Sequence, residues 1–299
     1  MTNDNTLNYT IQENDKTVKG IMTENLNFSR RLSKRLEISD KLYVNGKAAR
    51  LNKSVFMGDI LSVEFDEDED EYDAVDIPIE IVYEDDDLLA VNKTAYIVVH
   101  PTKSHQGNTV ANGVAYYFKQ KGIKRKVRFV NRLDMNTSGI VVIAKHPYAH
   151  NELSNQMKSN EVDKYYYAIV EGTVKEDIGT INEPIARLNP EDITRIVHSS
   201  GKECITHYTV EKRFNNMTLV KLKLETGRTH QIRVHMKHIG HPVLGDTLYG
   251  KGSELIGRQA LHCYEMRFMQ PLKGKEITIT CPLPEDMKKV IKIEGETKA

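Results

Sequence analysis

Residues 131–139 read Asn-Arg-Leu-Asp-Met-Asn-Thr-Ser-Gly, and residues 140–144 continue as Ile-Val-Val-Ile-Ala. The Asn, Thr, Ser and Gly residues favour a turn, because such side chains bond to nearby backbone groups and glycine adopts unusual backbone angles. The β-branched run that follows predicts a buried strand. Asp134 would then be an ionised carboxylate on a rigid turn at the edge of a sheet, where it could act as a nucleophile. Alternatively, it could serve only to cap the turn.

A second segment, residues 226–242, has the pattern of a short basic helix. Thr229 is a candidate N-cap, Gly240 a candidate C-terminal glycine, and Pro242 a stop signal, with apolar residues at helical spacing between them. This pattern predicts a positively charged helix with Arg233 in its first turns.

Together these two segments closely resemble the signature motifs of the Rlu-type pseudouridine synthases, which isomerise selected uridines in structured RNA. Residues 164–172 are similar to the K-x-Y-x-A-x-V-x-G strand of that family, and residues 82–93 to its opening hairpin. Residues 245–250 and 261–271 also fall where the family has its further motifs. The resemblance runs in order from residue 77 to residue 285 and implies the pseudouridine synthase fold.

The resemblance implies a role for three residues in catalysis. Asp134 is the expected nucleophile, attacking either the ribose carbon or the uracil ring, and the sequence does not choose between these routes. Arg233 matches the basic residue that pairs with this carboxylate, and a guanidinium can hold it in a fixed geometry. Tyr166 matches the tyrosine that lies against the target base, where its ring can stack and its hydroxyl can serve in proton removal from carbon 5.

The target uridine is out of reach while stacked, so the enzyme must extrude it. Arg132 is the residue expected to fill the vacated place in the RNA, with a structural salt bridge as the alternative. The predicted substrate-binding set is Arg132, Thr137, Arg228, His230 and Gln231. Two local departures from the family occur: Asn131 replaces the usual His, and residues 92–94 read Asn-Lys-Thr instead of Asn-Lys-Pro.

This isomerisation transfers no electron and loses no group, and the sequence has no phosphate loop, dinucleotide fingerprint or metal motif. His230, His235, His238 and His241 lack the HExxH spacing of a zinc site. We therefore expect no cofactor and no metal. The three cysteines are widely separated, which predicts buried, reduced thiols.

The chain of 299 residues has no stretch long enough to span a membrane and does not begin like a signal peptide, so we expect a cytoplasmic protein without a membrane partner. We also expect a monomer. The net charge is zero, but 14 of the 42 acidic residues lie between residues 61 and 90, so 28 remain against 42 basic ones elsewhere. Such segregation permits a basic face that binds RNA.

Two basic segments are expected to contact RNA. One is an amphipathic helix near residue 30, and the other is a run leading to Asp134, although a solvated loop is the alternative for the run. The predicted RNA-binding residues are Arg30, Arg31, Lys34, Arg35, Lys47, Lys124, Arg125 and Lys126.

The order of helix, Asn45-Gly46 hairpin and Gly58-Asp59 strand resembles a short form of the RNA-binding module named after ribosomal protein S-four. We predict a mobile N-terminus (1–20), this module (21–65), an acidic linker crossed by few contacts (66–76) and a catalytic domain (77–299). Strands mixed with a few helices predict an α+β catalytic domain around a mostly antiparallel or mixed sheet.

Ribosomal RNA of the large subunit is the expected substrate, because an N-terminal RNA-binding module is typical of the ribosomal branch. Two alternatives remain open: the same chemistry on transfer RNA, or a non-catalytic RNA-binding factor of ribosome assembly. Loss of Asp134, Tyr166 or Arg233 would have indicated the latter, and all three are present.

Overall fold

The computed structural model describes residues 6–65, 72–102, 105–189 and 191–296. The first part contains β1 (Thr6–Thr10), β2 (Lys16–Thr17), α1 (Val18–Gly20), a π-helical turn (Ile21–Asn25), α2 (Arg30–Ile38), β3 (Leu42–Val44), β4 (Lys47–Ala48), β5 (Ser54–Val55) and β6 (Ile60–Glu64). The second part contains β7 (Glu80–Glu84), β8 (Leu88–Lys93), α3 (Val110–Gln120), β9 (Arg128–Phe129), β10 (Ser138–Ala144), α4 (Pro147–Lys158), β11 (Asp163–Glu171), β12 (Ile178–Asn182), β13 (Ile185–Ala186), β14 (Ile196–Val197), β15 (Ile205–Arg213), β16 (Met217–Leu224), α5 (Gln231–His238), β17 (Leu261–Met269), β18 (Glu276–Thr280) and α6 (Glu285–Glu296).

The N-terminal module is built on a four-stranded sheet in the order β1-β6-β3-β4. Asn45 and Gly46 both have positive φ, 53° and 74°, as a type I′ hairpin requires, and they join β3 to β4 as predicted. Helix α2 begins after Ser29, whose hydroxyl accepts a hydrogen bond from the Leu32 amide. Its exposed side carries the predicted basic residues.

The sequence predicts a mobile segment for residues 1–20, whereas the structure contains regular elements from Thr6 onward. Strand β1 pairs antiparallel with β6 along its whole length, and Leu7 and Ile11 are buried in the core of the module. These two apolar side chains lie in a mainly polar segment, so the periodicity of apolar residues did not predict the strand. Residues 1–5 lie outside the described residues.

The predicted acidic linker also differs from expectation. Residues 66–71 lie outside the described residues, but the residues that follow them pack along α3. The Asn112 side-chain amide donates to the Asp73 carbonyl at 2.9 Å. The Asn112 backbone carbonyl accepts a hydrogen bond from the Val75 amide at 3.3 Å. Contacts also cross between the two domains. The Phe65 ring stacks on His146 at 5.6 Å, and the Phe28 ring lies 5.2 Å from Tyr148.

The predicted catalytic domain is an α+β structure around one large sheet of ten strands. Eight strands follow the order β12-β15-β16-β11-β17-β10-β8-β7, with β18 beside β17 and β9 beside β10. Its pairs are antiparallel except β10–β17, which confirms a mostly antiparallel sheet. Strand β10 is wholly buried, and α3 and α4 contribute Phe118 and Leu153 to the same core.

The parallel pairing of β10 with β17 depends on a glycine. Gly139 has φ 118°, and a Cβ atom there would lie 2.2 Å from the carbonyl oxygen of Cys263. Only glycine permits this approach. On its other side, β17 pairs Cys263 with Tyr166 of β11. The contact therefore places the turn before β10 close to Tyr166.

All three cysteines are free and buried, as predicted. Among the described residues, no helix combines the length and apolarity needed to cross a bilayer.

Candidate active site

The turn that carries Asp134 is closed by a hydrogen bond from the Thr137 amide to the Asp134 carbonyl at 3.0 Å. Asn131, at its start, pairs with the backbone of β10: its amide oxygen accepts from the Val142 amide at 2.8 Å, and its nitrogen donates to the Ile140 carbonyl at 3.0 Å. The Asn131 side chain thus bonds to the backbone of β10 as a neighbouring strand would. This is how Asn131 holds the start of the turn in place.

Three buried side chains hold the turn from below. Lys93 donates to the Met135 carbonyl at 2.8 Å, Arg258 to the Asn136 carbonyl at 3.1 Å, and Gln259 to the Thr137 hydroxyl at 3.2 Å. Lys93 also binds the carbonyls of residues 94 and 97. Its burial lowers the pKa of Lys93 to about 7, with a smaller contribution from the Arg258 charge.

Helix α5 begins one residue later than the sequence predicted. The N-cap is His230, in the left-handed region with φ 60°, and not Thr229. The loop is closed by Gln231, whose amide oxygen accepts from the Arg228 amide and the Thr226 hydroxyl, so no hydroxyl cap is needed. At the other end Gly240 has φ 87° as predicted, and the His241 amide donates to the Met236 carbonyl at 2.8 Å.

Arg233 connects two carboxylates at the centre of the site. Its Nη1 donates to Oδ2 of Asp134 at 3.1 Å, while Nε and Nη2 bind both oxygens of Asp246 at 2.6 and 2.8 Å. Burial lowers the pKa of Arg233, but hydrogen bonds and charges from Asp246 and Asp134 outweigh it and raise the pKa above its ordinary value. The guanidinium is therefore fully charged and fixed in orientation.

A tyrosine and a histidine complete this network. The Tyr249 ring lies 4.9 Å from the Arg233 guanidinium carbon, and its hydroxyl accepts from the Arg195 amide at 2.8 Å. The same hydroxyl lies 2.8 Å from Nδ1 of His230, whose Nε2 lies 3.7 Å from Oδ2 of Asp134. Asp246 in turn accepts from the Tyr249 amide at 3.1 Å.

Tyr166 lines the same small cleft as Asp134 and Arg233. Its side chain is almost fully buried, with the Cys263 thiol beside it. Burial, followed by the influence of Cys263, raises the pKa of Tyr166 well above its ordinary value of 10. This shift favours the protonated form of the hydroxyl.

The predicted substrate-binding residues fall into two groups. Arg132, Arg228 and His230 line the cleft, and Arg132 is exposed with no carboxylate partner in the described part of the chain, which argues against the salt-bridge alternative. Thr137 and Gln231 also line it but are buried, and their polar groups are used within the protein. The Gln231 nitrogen donates to the Ile205 carbonyl and the Thr206 hydroxyl.

The predicted RNA-binding residues are mostly on the surface. Exposed side chains are those of Arg30, Arg31, Lys34, Arg35, Lys47 and Lys124. Lys34 forms an ion pair with Glu37 at 2.6 Å. Arg125 and Lys126 are half-buried, and Arg125 donates to the Asp86 carbonyl at 2.9 Å.

Sequence reasoning missed four residues of this site: Lys93, Asp246, Tyr249 and Arg258. Asp246 and Tyr249 belong to the segment 245–250, and Lys93 to the segment 82–93, so family motifs marked three of them without indicating a role. In the described ranges, no group of three or more His, Cys, Asp or Glu side chains is arranged to hold a metal ion.

The chain matches the family model for RNA pseudouridylate synthase over residues 87–238, which include Asp134, Tyr166 and Arg233. It is 41% identical to an uncharacterized RNA pseudouridine synthase, YjbO, of Bacillus subtilis (strain 168), over 85% of this chain and 90% of that one. The chain belongs to the RNA pseudouridylate synthase family.

Further relatives agree with this assignment. The chain is 37% identical to ribosomal large subunit pseudouridine synthase D of Vibrio cholerae serotype O1, over 92% of this chain and 89% of the relative. Among solved structures it is similar to human RNA pseudouridylate synthase domain containing 1, with a TM-score of 0.58 and 26% identity over 73% of this chain and 95% of that one. This protein is therefore an RNA pseudouridine synthase, an isomerase.

Proposed function

We propose that this enzyme converts specific uridines of large-subunit ribosomal RNA to pseudouridine, with Asp134 as the nucleophile. The observation that carries the catalytic assignment is the Asp134–Arg233–Asp246 array, in which a buried guanidinium fixes one carboxylate with another. An aspartate is ionised at neutral pH, so it needs orientation more than activation, and Arg233 supplies orientation.

Tyr166 is proposed to contact the target base with its ring and to serve, through its hydroxyl, in the removal of the proton from carbon 5. Arg132 is proposed to enter the RNA where the base leaves, because it is exposed beside Asp134 and has no ion-pair partner in the part of the chain that the structure describes. Arg228 can add a further contact from the same cleft.

The ribosomal substrate is supported by the ribosomal large subunit pseudouridine synthases D to which the chain is similar. The N-terminal module, residues 6–65, is proposed to be the S-four-like element that recognises this RNA through the basic side of α2. Asp134, Tyr166, Arg233 and Asp246 all come from one chain, which favours a monomeric enzyme. A ribosomal RNA substrate also favours a cytoplasmic location.

Mass-spectrometric mapping of pseudouridines in RNA from a deletion strain tests the substrate. We expect one or more pseudouridines of the large-subunit RNA to be missing, and to return with the wild-type gene but not with Asp134→Asn. Loss confined to transfer RNA would contradict the ribosomal assignment.

Tritium release from labelled uridine RNA tests the nucleophile directly. Asp134→Asn is nearly isosteric and should retain the fold, yet turnover should fall at least about a thousandfold because the nucleophile is gone. Asp177→Asn, at an exposed aspartate of an ion pair with Arg213, is the matched control. Turnover of Asp134→Asn within about tenfold of wild type would exclude this role for Asp134.

A further inference from the structure

Two side chains, Arg233 and His230, face the same oxygen of Asp134. Arg233 Nη1 donates to Oδ2 at 3.1 Å, and His230 Nε2 lies 3.7 Å from that oxygen. In the described part of the chain Oδ1 makes no hydrogen bond, so the two oxygens of the proposed nucleophile are not equivalent.

Capping of helix α5 does not account for the position of the His230 side chain. Its backbone is in the left-handed region, with φ 60°, which is unfavourable for a side chain with a Cβ and is found preferentially at functional sites. Its side chain makes no capping hydrogen bond to α5. The imidazole is instead directed between the Tyr249 hydroxyl and Asp134.

The hydrogen bonds around Tyr249 favour one tautomer of His230. The Tyr249 oxygen accepts from the Arg195 amide, and its own proton is then free to donate to Nδ1 of His230 at 2.8 Å. A neutral imidazole that accepts at Nδ1 carries its proton on Nε2, the atom facing Asp134. Burial, with help from the charges of Arg233 and Arg195, lowers the pKa of His230 and favours this neutral form, although Asp134 and Asp246 act in the opposite direction.

We propose that His230 is a positioning residue: oriented by Tyr249 as the Nε2–H tautomer, it holds Oδ2 of Asp134 together with Arg233 and leaves Oδ1 as the attacking oxygen. The separation of 3.7 Å is longer than a hydrogen bond, and such contacts commonly shorten when substrate binds. This inference rests on the proposed role of Asp134 as nucleophile.

Tyr249→Phe provides the first test because it keeps the ring against Arg233 and removes the hydroxyl that orients His230, together with the hydrogen bond that this hydroxyl accepts from the Arg195 amide. We expect the single-turnover rate at saturating RNA to fall about tenfold, and that of His230→Ala to fall about tenfold to a hundredfold, with RNA affinity within about twofold of wild type. Tyr117→Phe, which removes a 2.6 Å hydrogen bond to Glu84, is the matched control and should retain the wild-type rate.

The double variant distinguishes positioning from general loss of structure. If Tyr249 acts through His230, adding Tyr249→Phe to His230→Ala should cause almost no further loss of rate. Multiplicative losses, or losses in RNA affinity as large as those in rate, would overturn the proposal. If His230→Ala fails to fold, the nearly isosteric Tyr249→Phe still tests it.

A pH profile gives a readout that a purely structural role would not change. Wild-type rate should fall as pH drops below 6.5, because protonated His230 attracts the Asp134 carboxylate more strongly and reduces its reactivity. The groups facing His230 are Asp134, Arg233, Arg195, Asp246 and Tyr249. His230→Gln should lack this decrease, and a decrease that persists there would contradict the role. An active Asp134→Asn would instead refute the proposed role of Asp134 as the nucleophile, on which this inference rests.

Discussion

Arg233 binds Asp246 through two of its nitrogens, at 2.6 and 2.8 Å, and offers a third nitrogen to Asp134. Asp246 is completely buried, whereas the Asp134 side chain is one quarter exposed. Asp246, which the solvent cannot reach, therefore fixes the Arg233 guanidinium. The guanidinium in turn orients Asp134, which the substrate can reach. The Arg233–Asp246 pair thus has a structural role in addition to its proposed catalytic one.

Replacing Arg233 by Met should remove both roles. Activity should be lost with a smaller loss of RNA affinity, because Asp134 loses its partner but the phosphate-binding surface is unchanged. The free energy of unfolding should also fall by about 3–5 kcal/mol, because Asp246 is left as an unpaired buried charge. Urea denaturation and tritium release measure the two effects.

The double variant Arg233→Met/Asp246→Asn is the matched control for this prediction. It removes the unpaired charge, so it should recover part of the stability while remaining inactive. Equal losses of activity and RNA affinity in the single variant, at unchanged stability, would show that Arg233 is a phosphate contact instead.

Tyr166→Phe separates the hydroxyl of the cleft tyrosine from its ring. RNA should still bind, since stacking is retained, but product formation should slow by about a hundredfold because the hydroxyl that serves in proton removal from carbon 5 is missing. Binding assays and single-turnover kinetics measure the two quantities. Tyr208→Phe, on strand β15 two strands away from β11, is a suitable control. A fully active Tyr166→Phe would limit this residue to stacking.

The sequence predicted the parts of the site that local patterns encode. The turn before β10, the strand with Tyr166 and the helix with Arg233 each have a periodicity or a family motif. The residues beneath the turn were not predicted, because Lys93 and Arg258 act on backbone carbonyls, whose positions depend on tertiary packing. Tertiary contacts also overrode the Thr229 cap.

The sequence did not predict where the N-terminal module begins, for a related reason. Polar composition suggested mobility for residues 6–20, but pairing of β1 with β6 satisfies the backbone and buries Leu7 and Ile11. Similarly, the like charges of the acidic run gave no indication that Phe65, just before it, stacks on His146. Such long-range contacts leave no periodic signal in a single sequence.

Lys93 predicts a specific pH dependence of stability. Its pKa is lowered from 10.5 to about 7, chiefly by burial, so between these values the unfolded chain binds more protons than the folded one. Stability should therefore rise with pH from about 7 to 10, by at most about 1.4 kcal/mol per pH unit from this residue. Urea denaturation of wild type and Lys93→Met across that range measures the difference.

Lys93→Met should be less stable at all pH values, because the Met135 carbonyl loses its donor, and should lack this rise. Lys289→Met, at an exposed lysine of α6, should retain the wild-type pH dependence. Parallel pH curves for wild type and Lys93→Met would show that the amine stays charged in the fold.

The basic side of α2 should supply phosphate contacts to long structured RNA. Arg31 and Arg35 are exposed, lie one helical turn apart and have no ion-pair partner in the described part of the chain, unlike Lys34 with Glu37. Removing two such contacts, in Arg31→Gln/Arg35→Gln, should weaken binding to a ribosomal RNA fragment and flatten its logarithmic salt dependence by about 1.4 to 1.8.

This double variant is preferable to deletion of the module, because deletion would also remove Phe28 and Phe65 from their contacts with Tyr148 and His146. Lys288→Gln/Lys289→Gln removes two exposed positive charges from α6, of which Lys288 is paired with Glu285, and should leave the slope nearly unchanged. A salt series of binding measurements compares the three proteins. If both double variants keep the wild-type affinity and slope, α2 does not contact RNA, and the ribosomal substrate loses the support of the N-terminal module.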